Sequence, residues 1–140
     1  MIDPDQCLEI ARGNPEAARF LEAYQLQCHW VDDLLDAPGP RLAGPLLAQT
    51  QAQWMLALAG NSWFGAHRAV LAPLMVLAAA AWDDANRMSA SPDPRARRAA
   101  DVVKGLWHEV FWMTAWLCGG WDHLCAMTAK YRQYDYDCKD

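Results

Sequence analysis

The fold is decided by residues 45–88, which read PLLAQTQAQWMLALAGNSWFGAHRAVLAPLMVLAAAAWDDANRM. Alanine and leucine, both strong helix formers, dominate this stretch. No run of β-branched residues alternates with polar ones, as a half-buried strand would require. The Gly-Asn pair at 60–61 is typical of a helix C-terminus, and Ser62 is the predicted N-cap of the helix that follows. The stretch therefore predicts two consecutive helices, residues 45–60 and 62–88.

Similar turn residues divide the rest of the chain. Asn14 and Pro15 are typical of a helix start, and the Ala-Pro-Gly-Pro segment at 37–40 ends that helix at about Asp36. Asp93 and Pro94 begin another helix, which we expect to continue to Cys118 before two glycines stop it. Short helices at 4–12 and 121–131 complete the prediction, and the tail 132–140 is expected to fray. We predict one all-α domain over residues 1–140, an up-and-down bundle of four main helices plus short terminal helices.

The composition narrows the classes of function. The net charge is −5, whereas binding to a nucleic-acid backbone needs a basic stripe. The five cysteines show no CxxC spacing, which favours a reducing compartment and hence a cytoplasmic protein. The longest uncharged apolar run, residues 69–82, is 14 residues long, whereas a membrane span needs about 20. We therefore expect no nucleic-acid partner and no membrane partner.

Eight tryptophans give this chain more apolar surface than a small domain needs. Ala99, Val103, Leu106, Val110, Met113 and Leu117 form the predicted core stripe of the helix that begins at Pro94. The opposite face of that helix and a second strip on the first long helix are also apolar, and a helix that is apolar all round is either enclosed or meets a partner. Terminal helices covering these strips within the monomer are the alternative. The candidate interface residues are Trp30, Leu34, Phe111, Trp112 and Ala115.

Clustered aspartates support a second hypothesis. Asp32, Asp33 and Asp36 end the first long helix, where the helix dipole disfavours negative charge. In an up-and-down bundle, Asp83 and Asp84 would lie at the same end. These five carboxylates could bind Mg²⁺ or Mn²⁺, and Arg87 and Lys104 could contact a phosphate. The structural alternative is that the aspartates are solvated at a helix end, partly paired with Arg41 or Arg87.

The aspartate segment at 32–36 resembles the DDxxD motif of the all-α prenyl diphosphate synthases. The paired acidic motifs resemble those of the all-α nucleotide pyrophosphohydrolases. The first family needs a second aspartate-rich motif and the second uses an ExxE pattern that this chain lacks, so we assign neither.

Two hypotheses follow from the sequence. The preferred one is a small helical interaction protein, an adaptor, assembly factor or inhibitor, that needs no cofactor and is not an enzyme. It self-associates, most simply as a homodimer, or docks on a protein partner through tryptophan-rich surface. The alternative is a hydrolase of a nucleotide or diphosphate that depends on Mg²⁺ or Mn²⁺.

Overall fold

The computed structural model describes residues 1–36 and 45–132, except for the side chains of residues 35 and 36. Within these ranges the chain is helical and contains no strand, which confirms the all-α prediction. The helices are α1 (Pro4–Ile10), α2 (Pro15–Asp36), α3 (Pro45–Ala59), α4 (Ser62–Ser89), α5 (Pro94–Lys104) and α6 (Glu109–Tyr131), with a 3-10 turn at Gly105–His108. The predicted break at 37–40 lies outside the described residues.

The chain divides into two compact units, unit 1 (Met1–His67) and unit 2 (Arg68–Asp140). The boundary falls inside α4, so this helix contributes its first turns to unit 1 and the remainder to unit 2. The up-and-down order of four main helices and the single domain over residues 1–140 stay predictions. The tail predicted to fray lies outside the described residues, except for Arg132, which caps the C-terminus of α6.

Unit 1 is organised by the packing of α1 on α2. The carboxylate of Asp3 accepts a hydrogen bond from the backbone N–H of Gln6, and the Gln6 side chain accepts one from the Asp3 N–H, which forms a capping box. The Gln25 side chain of α2 donates to the Ile2 carbonyl at 2.7 Å and accepts from the Ile2 N–H at 3.0 Å. These contacts hold the N-terminal residues against α2, and Ile10 of α1 is fully buried.

Asn61 joins the start of α4 to the start of α2. Its side-chain oxygen accepts a hydrogen bond from the Phe64 N–H at 2.8 Å, and its amide donates to the Glu16 carbonyl at 2.8 Å. Asn61, and not Ser62, is therefore the N-cap of α4. Ser62 is the first helical residue, and its hydroxyl donates a hydrogen bond to the Glu16 carboxylate. The prediction was wrong by one residue because both side chains can cap a helix.

An aromatic cluster fills the centre of unit 1. Phe20 is 1% exposed. Its ring centroid lies 6.1 Å from Tyr24, 5.7 Å from Trp63 and 5.2 Å from Phe64. Trp54 of α3 contacts Tyr24 with a centroid separation of 6.4 Å. Such ring pairs add about 0.5–1.5 kcal/mol each beyond the area that they bury, so this cluster connects α2, α3 and α4 within unit 1.

The helix predicted over residues 94–118 is interrupted in unit 2. Its start is confirmed, because the Asp93 carboxylate accepts a hydrogen bond from the Arg95 N–H at 2.9 Å and Pro94 is the first helical residue. The 3-10 turn at Gly105–His108 then separates α5 from α6. Glycine is among the poorest helix formers, and Gly105 stands where α5 ends.

Candidate functional site

The two ends of α6 meet, although the helix is assigned as one element. The Arg132 guanidinium donates to the Glu109 carboxylate at 2.6 Å across 23 residues of sequence. A straight helix of that length would separate the two residues by about 34 Å. The chain must therefore reverse, and it does so at Gly120, which has a φ of 78° and a ψ of −168°. Residues 109–119 and 121–131 are the two arms of a helical hairpin.

Both glycines at the reversal are required by its geometry. The backbone of Gly120 occupies a region of φ and ψ that is essentially restricted to glycine. A Cβ atom on Gly119 would lie 2.5 Å from three atoms of the His123 side chain, closer than real Cβ contacts. The sequence predicted a stop at these glycines, and the structure shows a reversal without an intervening loop.

The hairpin bounds a groove of about 520 Å³ within unit 2. Its lining is mainly apolar, and the two charged side chains in it, Glu109 and Arg132, pair with each other. The lining residues are Leu74, Glu109, Trp112, Met113, Trp116, Trp121, Leu124, Cys125, Thr128 and Arg132.

Three tryptophans line this groove, Trp112, Trp116 and Trp121. Trp112 is 4% exposed, and the Arg132 guanidinium lies 5.7 Å from its ring centroid, a cation–π contact. Trp116 is 47% exposed and Trp121 is 69% exposed. Tryptophan is large and is highly buried on average in folded proteins. Two exposed indoles on either side of a glycine turn are therefore an unusual surface feature.

The structure places the predicted interface residues mainly inside the molecule. Phe111 and Ala115 are fully buried, and Trp112 is nearly so. Trp30 and Leu34 lie half-buried on α2. Burial leaves the three residues of α6 little surface to offer a partner, although their role in an interface stays a prediction. Sequence reasoning did not single out Trp116 and Trp121, the indoles that the hairpin exposes.

The 3-10 turn explains why the predicted core stripe matches the buried face of α6 only in part. A 3-10 helix advances by about 120° per residue and an α-helix by about 100°. Over the four residues of Gly105–His108, the difference rotates the following helix by about 80°. Val110 of the predicted stripe is fully buried, whereas Leu106 is 43% exposed, and the buried face of α6 also includes Phe111 and Ala115.

The structure describes the side chains of four of the five aspartates in the alternative hypothesis. Arg87 forms ion pairs with Asp83, at 3.4 Å, and with Asp84, so its guanidinium already has anionic partners. Asp32 and Asp33 belong to unit 1, and the side chain of Asp36 is not described. Among the described side chains, no three His, Cys, Asp or Glu residues come together in a way that could hold a metal ion. Lys104, the other predicted phosphate contact, is the last residue of α5.

The described cysteines are free thiols. Burial raises the pKa of the Cys7 thiol to about 12 and that of the Cys28 thiol to about 11. A thiol must ionise to act as a nucleophile, so these two residues serve as small apolar core groups at neutral pH. Cys125 lies exposed in the lining of the groove.

Comparisons with protein-family models, with curated proteins and with solved structures found no match to this chain.

Proposed function

We propose that this chain is a small helical interaction protein that binds an apolar helix of a protein partner in the groove of the α6 hairpin. The observation that carries the proposal is the pair of exposed indoles, Trp116 and Trp121, at an apolar groove. Tryptophan is enriched among the residues that dominate the energy of protein interfaces. The free thiols of the core favour a cytoplasmic location for this binding.

The mainly apolar lining of the groove indicates which kind of partner it would bind. Because Glu109 and Arg132 neutralise each other at 2.6 Å, the lining offers no unpaired charge to a charged ligand. An uncharged apolar face is the complementary surface. Amphipathic helices present such a face through side chains at i, i+3, i+4 and i+7. The two antiparallel arms are packed helices, and a third helix can lie along the depression between them.

The exposed indole surface is large enough to anchor a complex. An indole buries about 150–250 Å² when it is enclosed. The exposed fractions of Trp116 and Trp121, 47% and 69%, therefore correspond to about 4–7 kcal/mol of burial at 25 cal/mol/Å². The unfavourable entropy of association reduces this value, so we expect affinities in the micromolar range from these anchors and their immediate neighbours.

A displayed library of helical peptides tests the proposal on the full-length chain. Each peptide is about 14 residues long and is randomised at the four positions of one face. We expect enrichment of Leu, Phe and Met at these positions. The double variant Trp116→Ala/Trp121→Ala should weaken the selected peptides by about 30-fold or more, since a hot-spot residue contributes at least about 2 kcal/mol.

Leu26→Ala is the matched control, because Leu26 is 67% exposed on α2 in the other unit. It should leave the affinity of the selected peptides unchanged. Selection of charged or sequence-independent peptides, or equal binding to the double variant and to the wild type, would show that the groove is not the docking site.

A further inference from the structure

The outer face of α4 is apolar over three turns. Val70, Val76 and Leu77 are 42%, 68% and 65% exposed. The other exposed side chains within residues 69–80 are small or apolar: Ala69, Ala72, Pro73, Ala79 and Ala80. The buried residues of the same stretch, Leu71 and Ala78, lie on the other side of the helix. An apolar strip of this length exposed on a helix normally meets another surface.

Charges of opposite sign bound this strip at its two ends. Arg68, which is exposed, precedes it. Asp83 and Asp84, also exposed, follow it and share Arg87, so this end carries one net negative charge. These charged residues lie on the same side of α4 as the apolar strip. Residues 68, 72, 76, 79 and 83 recur at helical spacing and therefore share this side. The strip is therefore positive at its N-terminal end and negative at its C-terminal end.

We propose that this face binds a second copy of the same chain, with the two α4 helices antiparallel about a two-fold axis near Val76. In that arrangement Arg68 of each copy lies opposite Asp83 of the other, and the alanines at 72 and 80 face each other. A parallel arrangement would bring like charges together, which is unfavourable. Closed two-fold dimers are the commonest oligomers, and their interfaces must be self-complementary in this way.

The dimer surface and the groove are separate. Leu74, the α4 residue that lines the groove, lies about 160° around the helix from Val76. Binding of a partner helix in the groove therefore leaves the proposed two-fold face accessible. The dimer does not depend on the function proposed above, and either proposal can fail alone.

A lipid bilayer is the competing occupant. By length and composition α4 is the one described helix that could cross a membrane, with a mean hydropathy of 1.5 over 18 residues of which 11% are buried. Its uncharged stretch is shorter, since residues 69–82 cover only about 21 Å. The hydrocarbon core is about 30 Å thick, so Arg68 or the aspartates would enter it at a high cost in free energy. A second copy satisfies these charges.

Sedimentation equilibrium of the full-length chain, without detergent, tests the proposal. We expect the wild type to sediment at twice its mass of 15.7 kDa. Val76→Asp places two carboxylates at the two-fold axis and should raise the dissociation constant by about 100-fold or more. Val102→Asp, at a residue that is 53% exposed on α5, is the matched control and should remain dimeric. Far-UV circular dichroism establishes that each variant is folded.

A charge exchange tests the antiparallel register. Arg68→Asp and Asp83→Arg should each weaken the dimer, and the double variant should recover most of the lost affinity. A monomeric wild type at about 100 μM, where even a dimer with a Kd of 10 μM would form, would overturn the proposal. Equal weakening in the double variant would overturn the antiparallel register. Flotation of the chain with phosphatidylcholine vesicles in place of dimer formation would overturn the dimer itself.

Discussion

Replacing Gly120 with alanine is expected to destabilise unit 2, because the hairpin depends on a backbone conformation that alanine avoids. Gly120 has a φ of 78° and a ψ of −168°, in the region where a non-glycine residue costs about 1–3 kcal/mol. Nothing lies within 4 Å of a Cβ atom built at this residue. The expected loss is therefore conformational strain alone, without a steric clash.

The expected loss of stability in Gly120→Ala is large enough to measure by urea denaturation. With a urea m-value of about 2 kcal/mol/M, a loss of 2 kcal/mol lowers the midpoint of unfolding by about 1 M. Gly105→Ala is the matched control, because a Cβ atom there also meets nothing within 4 Å and the φ of Gly105 is −65°. Gly105→Ala should raise the free energy of unfolding by up to about 1 kcal/mol, and with it the urea midpoint, since alanine restricts the unfolded chain.

Urea titration followed by far-UV circular dichroism measures both variants on the full-length chain. A dependence of the hairpin on the Gly120 backbone is refuted if Gly120→Ala unfolds at the wild-type midpoint with an unchanged m-value. It is equally refuted if the two glycine variants shift the midpoint in the same direction by the same amount, because strain at Gly120 would then not be the cause.

Two further predictions concern the junction between α2 and α4. Asn61→Ala removes the N-cap of α4 and the hydrogen bond to the Glu16 carbonyl, and should lower the free energy of unfolding by about 1–2 kcal/mol, measured by urea denaturation. Asn61→Asp keeps the capping oxygen and should lose less stability. An equal loss in both variants would contradict the capping role. The hydrogen bond from Ser62 lowers the pKa of the Glu16 carboxyl below its ordinary 4.5, so its contribution to stability is complete above pH 4.5 and is lost as the pH falls through the lower, folded-state pKa. Thermal denaturation between about pH 6 and 3 should show a smaller acid-dependent loss for Glu16→Gln than for the wild type, and identical profiles would contradict this assignment.

The ends of the helices were predictable because they depend on local chemistry. Pro15, Pro45 and Pro94 each begin a helix as expected, since proline at the first helical position loses no intrahelical hydrogen bond. The two glycines at 119 and 120 were predicted to interrupt the helix, and the non-helical backbone of Gly120 confirms that prediction. Such signals act over a few residues, and they need no knowledge of the tertiary contacts.

The buried face of α6 and the groove were not predictable in the same way. A periodicity argument assumes a continuous α-helix, and the 3-10 turn at Gly105–His108 breaks that assumption. The reversal at Gly120 is what brings Arg132 to Glu109 and Trp121 to the side of Trp116. No local pattern encodes these pairs, since they depend on the direction in which the chain leaves the turn.

The loopless turn also limits how this sequence can change length. One residue inserted after Gly120 would rotate the following arm by about 100°. A rigid helix could not then keep Trp121 beside the groove and Arg132 beside Glu109 at once. The distance along the chain between Trp112 and Trp121 therefore matters as much as the identity of either indole. Point changes within the arms are easier to accommodate than any insertion or deletion at the bend.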